Sequence, residues 1–262
     1  MSYIGNRDFF IEVAKGKVAK HSLVHKFGAT EALTTALIPI ASAGVYPTPT
    51  VAVSLELVSN SASDALNSTG MHELTIEGLD ASGALQTQPT AAHATDGTVA
   101  VAISGTWLRV FRAYVSSSGA YATSVVGSHV GTITIRVAGA GATYANIPLS
   151  NSFAIGQSLI GAYTVPLGYT AYILGQEFGS DVAGTKTTSF YFFKRENILD
   201  VSSSYSGTMR VQQVKLGTQG DRQSEHFTPD GFSALTDIGF LGIASTGTND
   251  AYVEFEMLLV QD

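Results

Sequence analysis

Cysteine is absent from the 262 residues. That excludes a disulfide framework, a thiolate metal site and a thiol nucleophile, and it leaves the redox compartment unreported. Charge is scarce too: 13% of residues are charged, about half the ~25% of ordinary globular chains. Long apolar runs are missing. AYTV and MLLV are typical, far short of the roughly 18 residues that span a bilayer, so no membrane partner is expected. No hydrophobic stretch follows Met1, and no signal peptide is expected. What is present is 45% hydrophobic residues, enough for a core and against global disorder. Twenty-seven glycines and abundant Ser and Thr favour an all-β protein over a helical or α/β enzyme.

Charge is also unevenly placed. Residues 1–26 hold Arg7, Lys15, Lys17, Lys20 and Lys26 against Asp8 and Glu12, a net of +3. The remainder carries a net of −10, and no Lys or Arg occurs from Phe27 to Leu108. An arm of one sign on a body of the other suggests contact with something acidic, either nucleic acid or a neighbouring copy. The arm residues expected at such a contact are Arg7, Lys15, Lys17, Lys20, His21, His25 and Lys26.

Periodicity gives the fold class. DFFIEVAKGKV (8–18) alternates partly and reads as a strand, and residues 20–33 offer at most a short helix that Gly28 argues against. Pro39, Pro47 and Pro49 mark a loop or edge stretch. Strands are expected at 51–59, 72–80, 98–103, 106–117, 132–139, 158–165, 169–178, 188–197, 208–217, 237–245 and 251–260, with polar turns between them. Both faces of 106–117 are apolar, as in a central strand covered on two sides. Many short strands with Gly/Ser turns imply sandwich or jelly-roll architecture. The expected organisation is an extended N-terminal arm and first strand (1–50), a first β-sandwich unit (51–142) and a second (143–262), with GAGA at 139–142 in the linker.

Chemistry is sparse. The histidines at 21, 25, 72, 93, 129 and 226 match no zinc spacing, and no calcium loop is present, so neither metal nor cofactor is expected. GxSxG, SxxK, GxGxxG and the P-loop are missing. Glu73 with Glu77, and Glu254 with Glu256, are carboxylate pairs of the kind a glycosidase needs. Alternation on a solvent face explains both pairs without catalysis. YFFKRE (191–196) could stack bases, and Trp107, Tyr163, Tyr169 and Tyr172 could form a sugar platform. A body of net −10 suits neither polyanion binding nor direct nucleic-acid contact, and core aromatics are the simpler reading. Arg109 and Arg112 lie among Trp107, Leu108, Val110 and Phe111. They are expected to be structural ion-pair residues, with Glu73, Glu77 and Asp80 as the nearest carboxylates.

The segments FFIEVAKGKVAKHSLVHKFG, ELTIEGLDASGAL, TWLRVFRAYVSSSGAY, GTITIRVAGAGATYANI, GQSLIGAYTVPLGYTAYI and FEMLLVQD resemble a family of tailed-bacteriophage virion proteins common among marine phages. The resemblance covers most of the chain and rests on strand edges and turns. It brings no catalytic residue. It implies many identical copies built from β-sandwich modules and located in the virion. The expected function is a non-enzymatic, homo-oligomeric, head-associated minor or decoration protein. Its expected partners are itself, the major capsid protein and tail or portal components. A tail or collar component and a receptor- or glycan-binding module are the alternatives, and a glycan-active enzyme is a third.

Overall fold

The computed structural model describes residues 6–119, 128–150, 153–181, 186–199, 209–216, 220–225 and 231–262. Among them the chain begins with α1 (Asn6–Ala14), β1 (His21–Leu33), β2 (Ile38–Pro39), β3 (Leu55–Ser59), β4 (Met71–Leu79), β5 (Leu85–Ala91), β6 (Val101–Ala102) and β7 (Arg109–Ser118). It continues with β8 (Ile133–Val137), β9 (Thr143–Ile147), β10 (Leu149–Ser150), β11 (Phe153–Ala154), β12 (Ala162–Thr164) and β13 (Tyr169–Asp181). The remaining strands are β14 (Thr188–Arg195), β15 (Met209–Leu216), β16 (Gly220–Glu225), β17 (Gly231–Phe232), β18 (Asp237–Ala244) and β19 (Asn249–Gln261). The fold is all-β, and every strand pairing is antiparallel.

Among the described residues there are four larger sheets and a two-stranded one, β10-β11. Two of the larger sheets come from the first half, in the orders β6-β3-β8-β9 and β5-β4-β7. The other two run β1-β19-β13-β16, with β17 beside β13, and β12-β18-β14-β15, with β2 beside β18. β19 shows why these residues form a strand on a core. Val253, Phe255, Met257 and Leu259 are buried and alternate with exposed Tyr252, Glu254 and Glu256, a period of two that buries one face.

Several elements differ from the sequence reading. Residues 6–14 are helical, not extended. Phe9, Ile11 and Val13 do not share a face: Val13 is buried while Ile11 is about half exposed, as helical spacing requires. Gly16 ends the helix at φ +67°, and its N–H donates to the Val13 carbonyl at 2.8 Å. His21–Leu33 is a strand. It does not hang free as an arm but pairs along β19 from His21↔Val260 to Leu33↔Asn249. GAGA is a tight turn joining β8 to β9, with Gly139 and Ala140 at positive φ. β9, which begins at Thr143, therefore shares a sheet with β3 and β8.

β7 is not central in its sheet; it lies at the end of β5-β4-β7. Both faces are nonetheless covered. Segment 156–158 runs along its open edge, with Val115 N–H to Gly156 O and Ser158 N–H to Ala113 O, each at 2.8 Å. The strand also stands between two apolar clusters. Trp107, Val110, Ala113 and Val115 pack with Leu55, Leu74 and Ile135. Leu108 and Phe111 pack with Tyr163, Phe190 and Phe255.

Two glycines set how closely the layers approach. A Cβ on Gly28 of β1 would lie 2.1 Å from the Gly161 nitrogen and 2.4 Å from the Ile40 oxygen. Both obstacles are backbone, so no rotamer change relieves them. Gly28→Ala is expected to destabilise the protein by about 3 kcal/mol, the upper end for overpacking, measured by urea denaturation.

Candidate functional site

Among the described residues the most concentrated ionic chemistry is a buried cluster around Asp237, the first residue of β18. Three strands end at this point: Asp237 lies opposite Thr164 of β12 and opposite Arg195 of β14. Arg109 enters from β7, in the other half of the chain. Its Nε donates to Asp237 Oδ1 at 2.9 Å and its Nη2 to Oδ2 at 3.0 Å, a bidentate fork. Its Nη1 donates to the carbonyls of Pro49 at 2.9 Å and Leu108 at 2.8 Å. Arg195 adds Nε and Nη2 bonds to Oδ2 at 3.1 and 2.5 Å. Thr164 Oγ1 donates to Oδ1 at 2.5 Å, and Tyr46 Oη bonds Thr164 Oγ1 at 2.8 Å.

Both side chains of the Arg109–Asp237 pair are fully buried, and Arg195 is nearly so. The two guanidiniums share this carboxylate and also face the carbonyls of Pro49, Leu108 and Thr48. Burial, and next the Asp237 charge, push the Tyr46 hydroxyl far above its ordinary range, so it stays a neutral hydrogen-bonding group. The cluster ties residues 46–49, β7, β12, β14 and β18 together. Among the described residues its polar contacts join strand to strand and loop.

The partner of Arg109 is therefore Asp237, 128 residues away, and not the nearby carboxylates. Asp80 instead caps its own turn through Ser82 and Ala84, which together with the Gly83 and Ser82 contacts holds its carboxyl below the usual range against the opposing effect of burial. Glu73 accepts from Ser116. Arg112 meets no carboxylate in the described contacts. Its Nε and Nη2 donate to Gln157 Oε1 at 3.3 and 3.1 Å, and its guanidinium lies 4.5 Å from the Tyr114 ring centroid.

A second buried charge lies beside this junction. Arg112 pairs with Glu77 and Val110 with Gly78, so Phe111 is an extra residue opposite none on β4. This bulge turns the Phe111 ring onto Tyr163, centroids 4.3 Å apart, and frees its carbonyl from the ladder. That carbonyl accepts the ammonium of Lys26 at 2.5 Å. Lys26 projects inward from β1 and is buried. Burial pushes its ammonium down to about 7; Glu77 opposes the shift and Arg112 adds to it.

The other arm residues are dispersed. Lys15 and Lys17 reach Glu12 at 3.1 and 3.7 Å on the surface. Lys20 donates to the Asp262 carbonyl at 2.7 Å. His21 packs edge-on to Phe9, and His25 meets Glu254 at 2.8 Å. Arg7 lies on α1, and its side chain is outside the described residues.

The aromatic platform does not assemble. Trp107 is fully buried and bonds Ser104 O, Tyr163 is buried against Phe111, and Tyr169 and Tyr172 lie on β13. In YFFKRE, Phe192 and Phe193 are core residues. Among the described residues no three His, Asp or Glu side chains are placed to hold a metal ion, and His226 lies outside them.

Sequence reasoning missed two hubs. Asp64 sits in a polar loop yet is fully buried, accepting from Ser59 Oγ at 2.5 Å and from the Met71, Val130 and Gly131 N–H groups at 2.9–3.0 Å. His129 is buried between Gly131 O at 2.8 Å and Gly156 N–H at 3.4 Å; burial pushes its pKa down, as a neutral ring serving both contacts requires. A lone Asp among Ser, Asn and Gly residues was the available signal for Asp64.

Two measurements check these assignments. Arg109→Met leaves a buried carboxylate short of its main partner and should cost roughly 3–5 kcal/mol. Arg112→Met loses only a neutral amide and a ring contact and should cost under about 1 kcal/mol; thermal or urea unfolding separates the two. For Lys26, the folded pKa of about 7 lies below the ordinary unfolded value of ~10.4. Between these values the unfolded chain binds the extra proton, so this group makes stability rise with pH. The stability of wild type minus that of Lys26→Met should climb by up to about 4 kcal/mol between pH 7 and pH 10. A flat difference would contradict the assignment.

No protein-family profile matches the chain, and no curated protein matches it in sequence. Solved structures similar to it include the cowpea mosaic virus top component, naturally occurring empty particles, at 7% identity and TM-score 0.21, covering 83% of each chain. Infectious bursal virus-derived T=1 particles match at 10% identity and TM-score 0.24, over 92% of this chain and 69% of theirs. Infectious bursal disease virus Gx strain matches at 9% and 0.21, over 92% and 75%. At such scores the likeness carries no argument about this chain.

Proposed function

We propose that this chain is a non-enzymatic structural protein of a tailed-phage virion. In this reading it is a head-associated minor or decoration protein that works as a homo-oligomer beside the major capsid protein. The observation that carries the reading is where the buried ionic groups point. Arg109, Arg195, Asp237, Lys26 and Asp64 all tie one strand or loop of the chain to another. The sequence resemblance to tailed-phage virion proteins supplies the particle. The chain is further proposed to comprise two β units joined at the Asp237 cluster. The first is built mainly from 51–142 together with β9, and the second from the rest of 143–262 together with β1 and β2.

In this reading the basic N-terminal segment contacts a neighbouring subunit or another virion protein. The contact lies in residues 1–17, because β1 belongs to the sheet and cannot be removed without unzipping β19. Lys15 and Lys17 are exposed, and their bonds to Glu12 are surface pairs of little net strength.

Gold-labelled antibody against this protein should decorate the heads of purified particles. Particles free of the protein would overturn the reading. Lys15→Glu with Lys17→Glu should leave the melting temperature unchanged and lower the copies per particle several-fold. Full incorporation would remove the arm from the proposal.

A further inference from the structure

We infer that the outer face formed by β19 and β13 is the surface on which the basic N-terminal segment of a second copy docks, joining copies head to tail. This assignment rests on the homo-oligomer reading and names the partner surface for Lys15 and Lys17.

Strand parity builds the face. On β19, Asp250, Tyr252, Glu254 and Glu256 are exposed and alternate with the buried Ala251, Val253, Phe255 and Met257. On β13, Gln176, Phe178 and Ser180 are buried, so Glu177, Gly179 and Asp181 lie on the outer side. Five of the chain's 21 acidic residues thus stand on two neighbouring strands of a protein that is only 13% charged. No lysine or arginine occupies an outward position of β13, of β19 or of the flanking β1, whose Lys26 turns inward.

The register makes the crowding acute. Glu177 lies directly opposite Glu254, and Asp181 directly opposite Asp250. Like charges so placed destabilise a sheet. Burial, then the charges of Glu31 and Asp181, push the Asp250 carboxyl above its ordinary range. Carboxylates elsewhere on the surface are matched: Glu12 by Lys15 and Lys17, Glu56 by Arg136, Glu196 by Lys194. On this face His25, 2.8 Å from Glu254, is the one basic group in ion-pair reach of the five among the described residues. Between the two carboxylate pairs lies Tyr252, 42% exposed, with its ring so close over Gly179 that a Cβ there would fall 2.2 Å from Cζ. An aromatic ring flanked by carboxylates attracts an ammonium group on both counts.

Charge and reach name the occupant. Arg109 and Arg195 are held by Asp237, Lys26 by Phe111 O and Arg136 by Glu56. Lys15 and Lys17 are 53% and 65% exposed and share Glu12. They cannot reach Asp181 and Asp250 of their own chain. His21 lies opposite Val260, ten positions along β19 from Asp250, roughly 33 Å of strand. Lys15 stands six residues before His21, at most about 21 Å of extended chain, and turn bonds at Gly16, Lys17 and His21 shorten it further. The docking is therefore between copies. It joins two different patches, so successive copies close into a ring or run on as a chain.

A charge swap tests this. Light scattering at low and high salt is run on full-length wild type, on Lys15→Glu with Lys17→Glu, on Asp181→Lys with Asp250→Lys, and on an equimolar mixture of the two variants, each checked for fold by circular dichroism. Expected are a wild-type oligomer weakened by salt, several-fold weaker association of either variant alone, and recovery in the mixture, where every contact again sets lysine against carboxylate. If Asp181→Lys with Asp250→Lys fails to fold, Glu177→Lys replaces it in every arm. Association that survives in the acidic-face variant, or that does not recover in the mixture, overturns this face and leaves the homo-oligomer reading standing. Dissociation of wild type by EDTA at unchanged melting temperature puts a metal ion between the carboxylates and overturns the lysines as occupant. A wild-type monomer at all concentrations overturns both the face and the homo-oligomer reading.

Discussion

The carboxylate of Asp237 is the point on which the architecture depends. It lies at the meeting of β12, β14 and β18 and receives Arg109 from β7. Withdrawing these charges from water is costly, several kcal/mol per ion, so the cluster is a weak source of net stability. Its force lies in what it forbids. Any arrangement of the sheets that separates β7 from β18 leaves a buried guanidinium facing a buried carboxylate's empty place. The segment 46–49 is held by the same cluster through Tyr46, Thr48 and Pro49.

A one-residue irregularity completes the junction. The bulge at Phe111 rotates its ring into the cluster containing Tyr163 and Phe255, while Val110 and Ala113 stay with Leu74 and Ile135. β7 thus feeds two cores, which a regular strand with one face to each side of its own sheet also does, but here its freed carbonyl adds a bond to Lys26 of β1. Ionic, apolar and backbone contacts between the two halves converge within residues 108–113. This explains why the stretch reads in sequence as apolar on both faces.

Function follows from the same economy of charge. A chain with few ionisable residues that buries several of them in ties between strands is built for rigidity. Among the described residues, exposed Lys15 and Lys17 lie at the end of α1 and just after it, and exposed Glu254 and Glu256 lie on the outer face of β19.

The sequence by itself determined the fold class and most strand positions. Alternation is a local property, and residues such as 253–259 bury one face wherever the strand is placed. It also determined that Arg109 needed a partner, since a cation among Trp107, Leu108 and Val110 cannot be left unsatisfied. It could not name Asp237, because a partner 128 residues away is chosen by sheet order and not by spacing. For the same reason it misread two segments. Phe9, Ile11 and Val13 fit a period of two as well as part of a helical turn, and Gly16 with the packing of Val13 decided for the helix. Residues 21–33 looked like a free arm because their partner is the far end of the chain. Lys26 looked like arm charge for the same reason: only when β1 lies on β19, with the bulge of β7 beneath it, does its amino group become a buried group bonded to the Phe111 carbonyl.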